Sequence, residues 1–110
     1  MTLNIEYVRE KWQQRGFSCD LWIDPPGQRW EGYVHDTDEM VMIVEGEIEF
    51  ETEGMPQCPN PAEELFIPAG AVHSVRNLGP MQSRWLYGYG QNQLAGNDLR
   101  SAAEVASLNS

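Results

Sequence analysis

The spacing of apolar side chains changes period along this chain. Within residues 4–14, Ile5, Val8 and Trp12 recur at intervals that put them on one face of a helix, and Gly16 is a natural stop. After Gly16 the period drops to two. Phe17, Cys19, Leu21 and Ile23 alternate with Ser18, Asp20, Trp22 and Asp24, which predicts a strand with the apolar set on one face, ended by Pro25-Pro26-Gly27. Residues 30–35 predict the next strand, and residues 40–44, nearly all apolar, a strand covered on both sides. Glu45-Gly46 makes a tight turn. Residues 47–53 alternate strictly, with Glu47, Glu49, Glu51 and Glu53 on a solvated face and Ile48 and Phe50 on the other. Residues 54–61 read as a loop, and residues 65–67, 72–77 and 84–89 complete the series. In the tail, residues 98–108 carry a weak apolar face of Leu99, Ala102, Ala103 and Ala106, which fits either a short terminal helix or a partly disordered end.

About seven short strands separated by turn residues predict an all-β sandwich or barrel. The pattern alone does not choose between a jelly roll, an immunoglobulin-like sandwich and an OB-fold. A length of 110 residues suits one domain, residues 1–110. The formal net charge of −10 argues against nucleic acid and anionic membrane as partners, because both would be repelled. Two cysteines, Cys19 and Cys58, form no CxxC pair and no disulfide framework. Cys19, within an alternating run, is expected as a buried free thiol, and Cys58 lies in a proline-rich loop. The first residues lack a basic-then-apolar leader pattern, and no apolar run approaches membrane-spanning length, so a cytoplasmic location is expected.

The chemistry concentrates in few residues. The chain has only two histidines. His35 ends a predicted strand, Glu39 follows across Asp36-Thr37-Asp38, and His73 opens another strand after Pro68-Ala69-Gly70. Two imidazoles and one carboxylate are the donors of a facial metal triad. Packing is the competing reading for each histidine taken alone.

The intervals also match a family. Gly27, five residues, Tyr33-Val34-His35, three residues, Glu39, six residues, Gly46 resembles the first cupin motif, which has a His-x-His pair where this chain has Tyr33-Val34-His35. Pro68-Ala69-Gly70-Ala71-Val72-His73-Ser74-Val75-Arg76-Asn77 resembles the second, Pro-x-Gly-x-x-His-x-x-x-Asn. The motifs occupy residues 27–46 and 62–77, and together they are specific where either alone is only suggestive. The chain thus resembles the small single-domain cupins with one conserved barrel. The resemblance implies an antiparallel jelly roll, or double-stranded β-helix, with short helices at its ends, and commonly a homodimer. It implies one divalent ion (Fe, Mn, Ni or Zn) held by His35, Glu39 and His73.

Two positions depart from the family pattern. Ala62 stands where the second motif usually opens with glycine, which affects a turn. Tyr33 stands in place of the first histidine. It shares strand parity with His35, and three roles compete for it: a phenolate ligand, a hydrogen-bond donor beside the ion and substrate, or packing. The donor role is preferred, because a neutral phenol is a poor ligand, and it makes Tyr33 the candidate catalytic residue. Trp30, Trp85 and Tyr87, with Tyr89 on the same strand face as the last two, are candidates to line a small-molecule pocket. Barrel core or a dimer interface competes for the same rings. Arg76 and Arg84 are candidates to meet a ligand carboxylate, against ordinary pairing with surface acids. Two function classes follow. One is a metal-dependent enzyme on a small molecule, of oxygenase, isomerase or hydrolase type with a lean to oxidoreductase. The other is a small-molecule-binding or sensing cupin without turnover, with or without metal.

Overall fold

The computed structural model describes residues 3–90, so the tail and its candidate helix over 98–108 lie outside the described residues. Helix α1 spans Ile5–Gln14. The Asn4 side chain accepts the Tyr7 N–H at 3.0 Å and caps its start, and Gly16, at φ 87°, lets the chain leave it. Eight strands follow: β1 (Asp20–Asp24), β2 (Arg29–Tyr33), β3 (Glu39–Glu45), β4 (Ile48–Thr52), β5 (Met55–Gln57), β6 (Glu64–Ile67), β7 (His73–Asn77) and β8 (Ser83–Tyr89).

The strands form two antiparallel four-stranded sheets, ordered β1-β8-β3-β6 and β2-β7-β4-β5. Apart from the β4–β5 hairpin, each strand lies in the opposite sheet to the one before it. This back-and-forth crossing is the all-β double-stranded β-helix expected from the motifs. Val41, Ile43, Ile48, Phe50, Ile67, Val75 and Trp85 fill the space between the sheets. A second cluster, Val8, Trp12, Cys19, Met40, Met42 and Leu86, lies on the outer face of the first sheet under α1. Strand β3 is therefore apolar on both faces because both are covered, Val41 and Ile43 by the opposite sheet and Met40 and Met42 by the helix. Cys19 is buried and free, and Cys58 is exposed and free.

Two local arrangements go beyond the sequence pattern. In β1 the apolar set faces outward: Cys19 and Leu21 pack under α1, while Trp22 and Asp24 turn toward the space between the sheets. The helix supplies the apolar cover for this set. Residues 54–61, expected as a loop, contain β5, in which Pro56 pairs opposite Glu51. Proline is tolerated there because β5 is an edge strand and owes no N–H to a further neighbour.

Close packing accounts for two glycines. A Cβ on Gly46, at φ 107°, would come within 2.7 Å of the Ser83 Cβ, so the turn after β3 admits only glycine. A Cβ on Gly88, in β8, would stand 1.8 Å from the Ser18 carbonyl oxygen and 3.0 Å from Trp12 Cε3, where the chain leaving α1 crosses the strand. Gly88→Ala is therefore expected to lower stability by about 3 kcal/mol or to prevent folding. Urea denaturation followed by tryptophan fluorescence measures this, and a variant as stable as the parent would contradict the packing described.

Candidate metal centre and aromatic cavity

The candidate ligands sit at the ends of strands, on segments tied to one another. Strand β2 stops at Tyr33, so His35 lies in the connection to β3 rather than on a strand. That connection is pinned by three bonds. Gly70 N–H donates to the His35 carbonyl at 2.8 Å, Ala69 N–H to Asp38 Oδ1 at 2.8 Å, and Gly90 N–H to the Asp38 carbonyl at 2.9 Å. The Pro68-Ala69-Gly70 turn that leads into His73 is thus fastened to the segment that carries His35. Glu39 is the first residue of β3 and lies opposite both Ile67 and Tyr89, and His73 is the first residue of β7.

These anchors bring His35, Glu39 and His73 together, with one donor atom from each all within 4.8 Å of one another. Glu39 Oε1 is 3.4 Å from His73 Nε2 and 3.8 Å from His35 Nε2. Donors bound about 2.0–2.2 Å from one ion are themselves roughly 3–4.4 Å apart, and both separations fall inside that range. His73 Nδ1 faces the Ala71 carbonyl at 3.2 Å; donating there fixes the tautomer and leaves Nε2 with its lone pair toward Glu39.

The electrostatics identify what the site lacks. Glu39 is only 4% exposed, and its Oε1 accepts no hydrogen bond. Burial raises the carboxyl from its ordinary 4.5 to about 8. Burial also lowers His73, against the opposing pull of the Ala71 carbonyl. A carboxylate and two imidazole nitrogens converging without a shared proton or cation would repel, so the donor set fits a bound divalent ion. The phenol in contact with the group is Tyr89, whose hydroxyl lies 3.4 Å from His35 Nε2. Burial first, and then the charge of Glu39, push that phenol well above its ordinary value, so Tyr89 holds its proton.

Beside the three donors opens a cavity of about 250 Å³ whose walls include Trp22, Trp30, Tyr33, Trp85, Tyr87 and Tyr89. The rings named from sequence all reach it. Trp85 belongs equally to the packed core, and Tyr33 stands at the mouth, 41% exposed, with its ring 6.2 Å from Trp30. Sequence reasoning missed Trp22 and the residue behind it, Asp24. Asp24 is 2% exposed, and its carboxylate accepts three indole N–H bonds: from Trp22 at 2.8 Å, Trp30 at 3.1 Å and Trp85 at 3.1 Å. The Trp22-Ile23-Asp24 spacing was the available signal, since residues two apart share a strand face and an indole N–H needs an acceptor. Asn77, which closes the second motif, donates to the carbonyls of Pro25 and Met81 at 3.0 Å and steadies the chain after Asp24.

Neither arginine considered for a ligand is available. Arg76 is held by Glu31, Glu49 and Glu51, and Arg84 by Glu45. Hydrogen bonds from Arg76 hold the Glu31 carboxyl down at about 2. The acidic face of β4 is thus partly a pairing surface for Arg76.

The cupin domain family (Cupin_2) matches residues 20–89, and the chain belongs to that family. No curated protein sequence matches it. Among solved structures, it resembles the Cnp3 cupin domain of Schizosaccharomyces pombe at 18% identity and TM-score 0.65, over 76% of this chain and 62% of that one. It resembles a salicylate 1,2-dioxygenase from Pseudaminobacter salicylatoxidans at 18% identity and TM-score 0.67, over 76% of this chain and 24% of that one. It resembles the DMSP lyase DddQ from Ruegeria pomeroyi DSS-3 at 25% identity and TM-score 0.62, over 79% of this chain and 41% of that one. In each case the chain covers less than two thirds of the other protein.

The raised Glu39 carboxyl makes stability depend on pH when no metal is present. Between 4.5 and about 8 the folded state keeps a proton that the unfolded state has lost, so this group's contribution falls as pH rises through that window. His73, lowered from 6.5, works the other way, but only up to about pH 6.5. Chelator-treated protein is therefore expected to lose urea stability between about pH 7 and about pH 8, and Glu39→Gln to lack that slope. Identical slopes in the two proteins would refute the assignment.

Proposed function

We propose that this cupin domain, spanning the 110-residue chain, holds one divalent transition-metal ion through His35, Glu39 and His73 and acts on a small molecule seated in the aromatic cavity. The observation that carries the reading is Glu39. A carboxyl buried to 4% with an oxygen that accepts no hydrogen bond, facing two imidazoles, must hold a proton or share a cation with them, and the cation satisfies all three donors at once. Iron, manganese, nickel and zinc all suit a two-imidazole, one-carboxylate donor set. Such an ion supplies Lewis acidity to an oxygen of the substrate and, if redox-active, access to dioxygen chemistry.

The chain's own residues have separable roles in this proposal. His73 presents Nε2 because its other nitrogen is committed to the Ala71 carbonyl. Tyr89 keeps its proton beside His35 and serves as a hydrogen-bond donor to a developing negative charge. Tyr33, at the mouth, contacts the incoming substrate and is assigned as a donor to it. The tryptophans exclude water and orient the apolar part of the ligand. An oxygenase-type reaction suits this arrangement best, because the tyrosines nearest the site, Tyr87 and Tyr89, are both raised by burial and do not act as bases. The same lack of a base favours, as a second reading, ligand binding without turnover.

The test is metal binding. Protein stripped with a chelator and titrated with Mn(II), Ni(II) or Zn(II) is expected to gain thermal stability with one ion bound per chain, and His73→Ala to lose at least about 100-fold in affinity. Glu39→Gln is expected to weaken binding while staying folded, since the neutral amide replaces a carboxyl that the metal-free protein already keeps protonated near neutral pH. Unchanged affinity in both variants would defeat the proposal. If an ion binds, oxygen uptake with a small-molecule panel separates turnover from binding.

A further inference from the structure

The cavity rings are inclined to one another rather than stacked. Trp22 lies 6.0 Å from Trp30 at 73° and 6.1 Å from Tyr87 at 79°, and Tyr87 lies 5.9 Å from Trp85 at 56°. Rings inclined this way leave a shared space that several of them border. Three of the four turn their N–H edges to Asp24, which places a buried carboxylate behind the wall. Among the described residues, no lysine or arginine lines the cavity. The described arginines are each paired with an acid elsewhere: Arg9 with Glu6, Arg15 with Glu64, Arg29 with Glu31, Arg76 with three acids and Arg84 with Glu45.

We propose that this wall, formed by Trp22, Trp30, Trp85 and Tyr87, binds the quaternary ammonium head of a small molecule. The negative π faces attract a cation held within about 6 Å of their centroids, and the spacing of these rings allows one cation to lie that close to several of them. The Asp24 carboxylate adds negative potential from behind the three indoles whose N–H groups it accepts. The wall distinguishes a fully alkylated ammonium from a primary one. A primary ammonium requires several hydrogen-bond acceptors, and of the four wall side chains only Tyr87 carries one. A carboxylate or phosphate placed here would meet like charge with no basic side chain to offset it. The chain's net charge of −10 draws cations toward the protein from solution. The wall borders the same cavity as the metal triad, so the head-group assignment rests on a small molecule sitting there, and testing it on metal-free protein keeps its failure distinct from a failure of metal binding.

Isothermal titration of chelator-treated, full-length protein with choline and with 3,3-dimethylbutan-1-ol separates charge from shape, because the alcohol replaces the charged nitrogen by carbon. Choline is expected to bind about tenfold tighter or more than the alcohol. Trp22→Leu, at a half-exposed position, is expected to weaken choline about tenfold while leaving the far-ultraviolet circular dichroism unchanged. Equal affinity for the two probes, no choline binding at millimolar concentration, or a folded Trp22→Leu variant that binds choline as well as the parent overturns the proposal. If Trp22→Leu does not fold, the comparison of the two probes on the parent protein decides alone.

Discussion

Burying a carboxylate is costly unless something in the interior compensates it. This protein buries two and treats them in opposite ways. Asp24 is surrounded by three indole N–H groups, contributed by β1, β2 and β8, so one side chain ties both sheets together at the wall of the cavity. Glu39 is buried almost as deeply, yet its Oε1 is left without a donor, opposite a histidine whose tautomer points a lone pair at it. The first arrangement is complete as it stands and makes structure. The second is complete only with a proton or a cation, and that incompleteness gives the site its chemistry.

The fold serves both carboxylates through the same device, the strand end. Glu39 and His73 each open a strand and Tyr89 closes one, so the rigid sheets set their positions while the groups themselves remain at the open end of the β-helix. His35 sits on an irregular segment, but backbone bonds from Gly70 and Gly90 hold that segment as firmly as a ladder would. Such bracing matters for a donor set whose members have to stay within a few tenths of an ångström of a common point.

Much of this was readable beforehand. Strict alternation in residues 47–53 gave β4 and its faces, the long apolar run gave β3, and the motif intervals assembled His35, Glu39 and His73 although thirty-three residues lie between the last two. What escaped had physical reasons. The pattern in β1 records which side chains are apolar but not which apolar surface they meet, and it is α1 rather than the opposite sheet that covers Cys19 and Leu21. Asp24 went unremarked because two of its three partners, Trp30 and Trp85, come from other strands that only the folded chain brings to it. Tyr89 outranks Tyr33 as the phenol near His35 for a similar reason. Parity relates neighbours along one strand, whereas the Glu39–Tyr89 register joins two.

One feature at the far rim bears on how the molecule behaves in company. A sheet that ends in an open strand offers a row of amide groups to which another chain can add itself, and this is a common start of aggregation. Strand β5 is short and carries Pro56 at its centre, so the second sheet ends on a margin with a missing donor and little length. A protein dense in tryptophan and poor in lysine is thereby kept from growing outward along that margin, and it can expose a largely aromatic cleft elsewhere without inviting fibrous assembly through this edge.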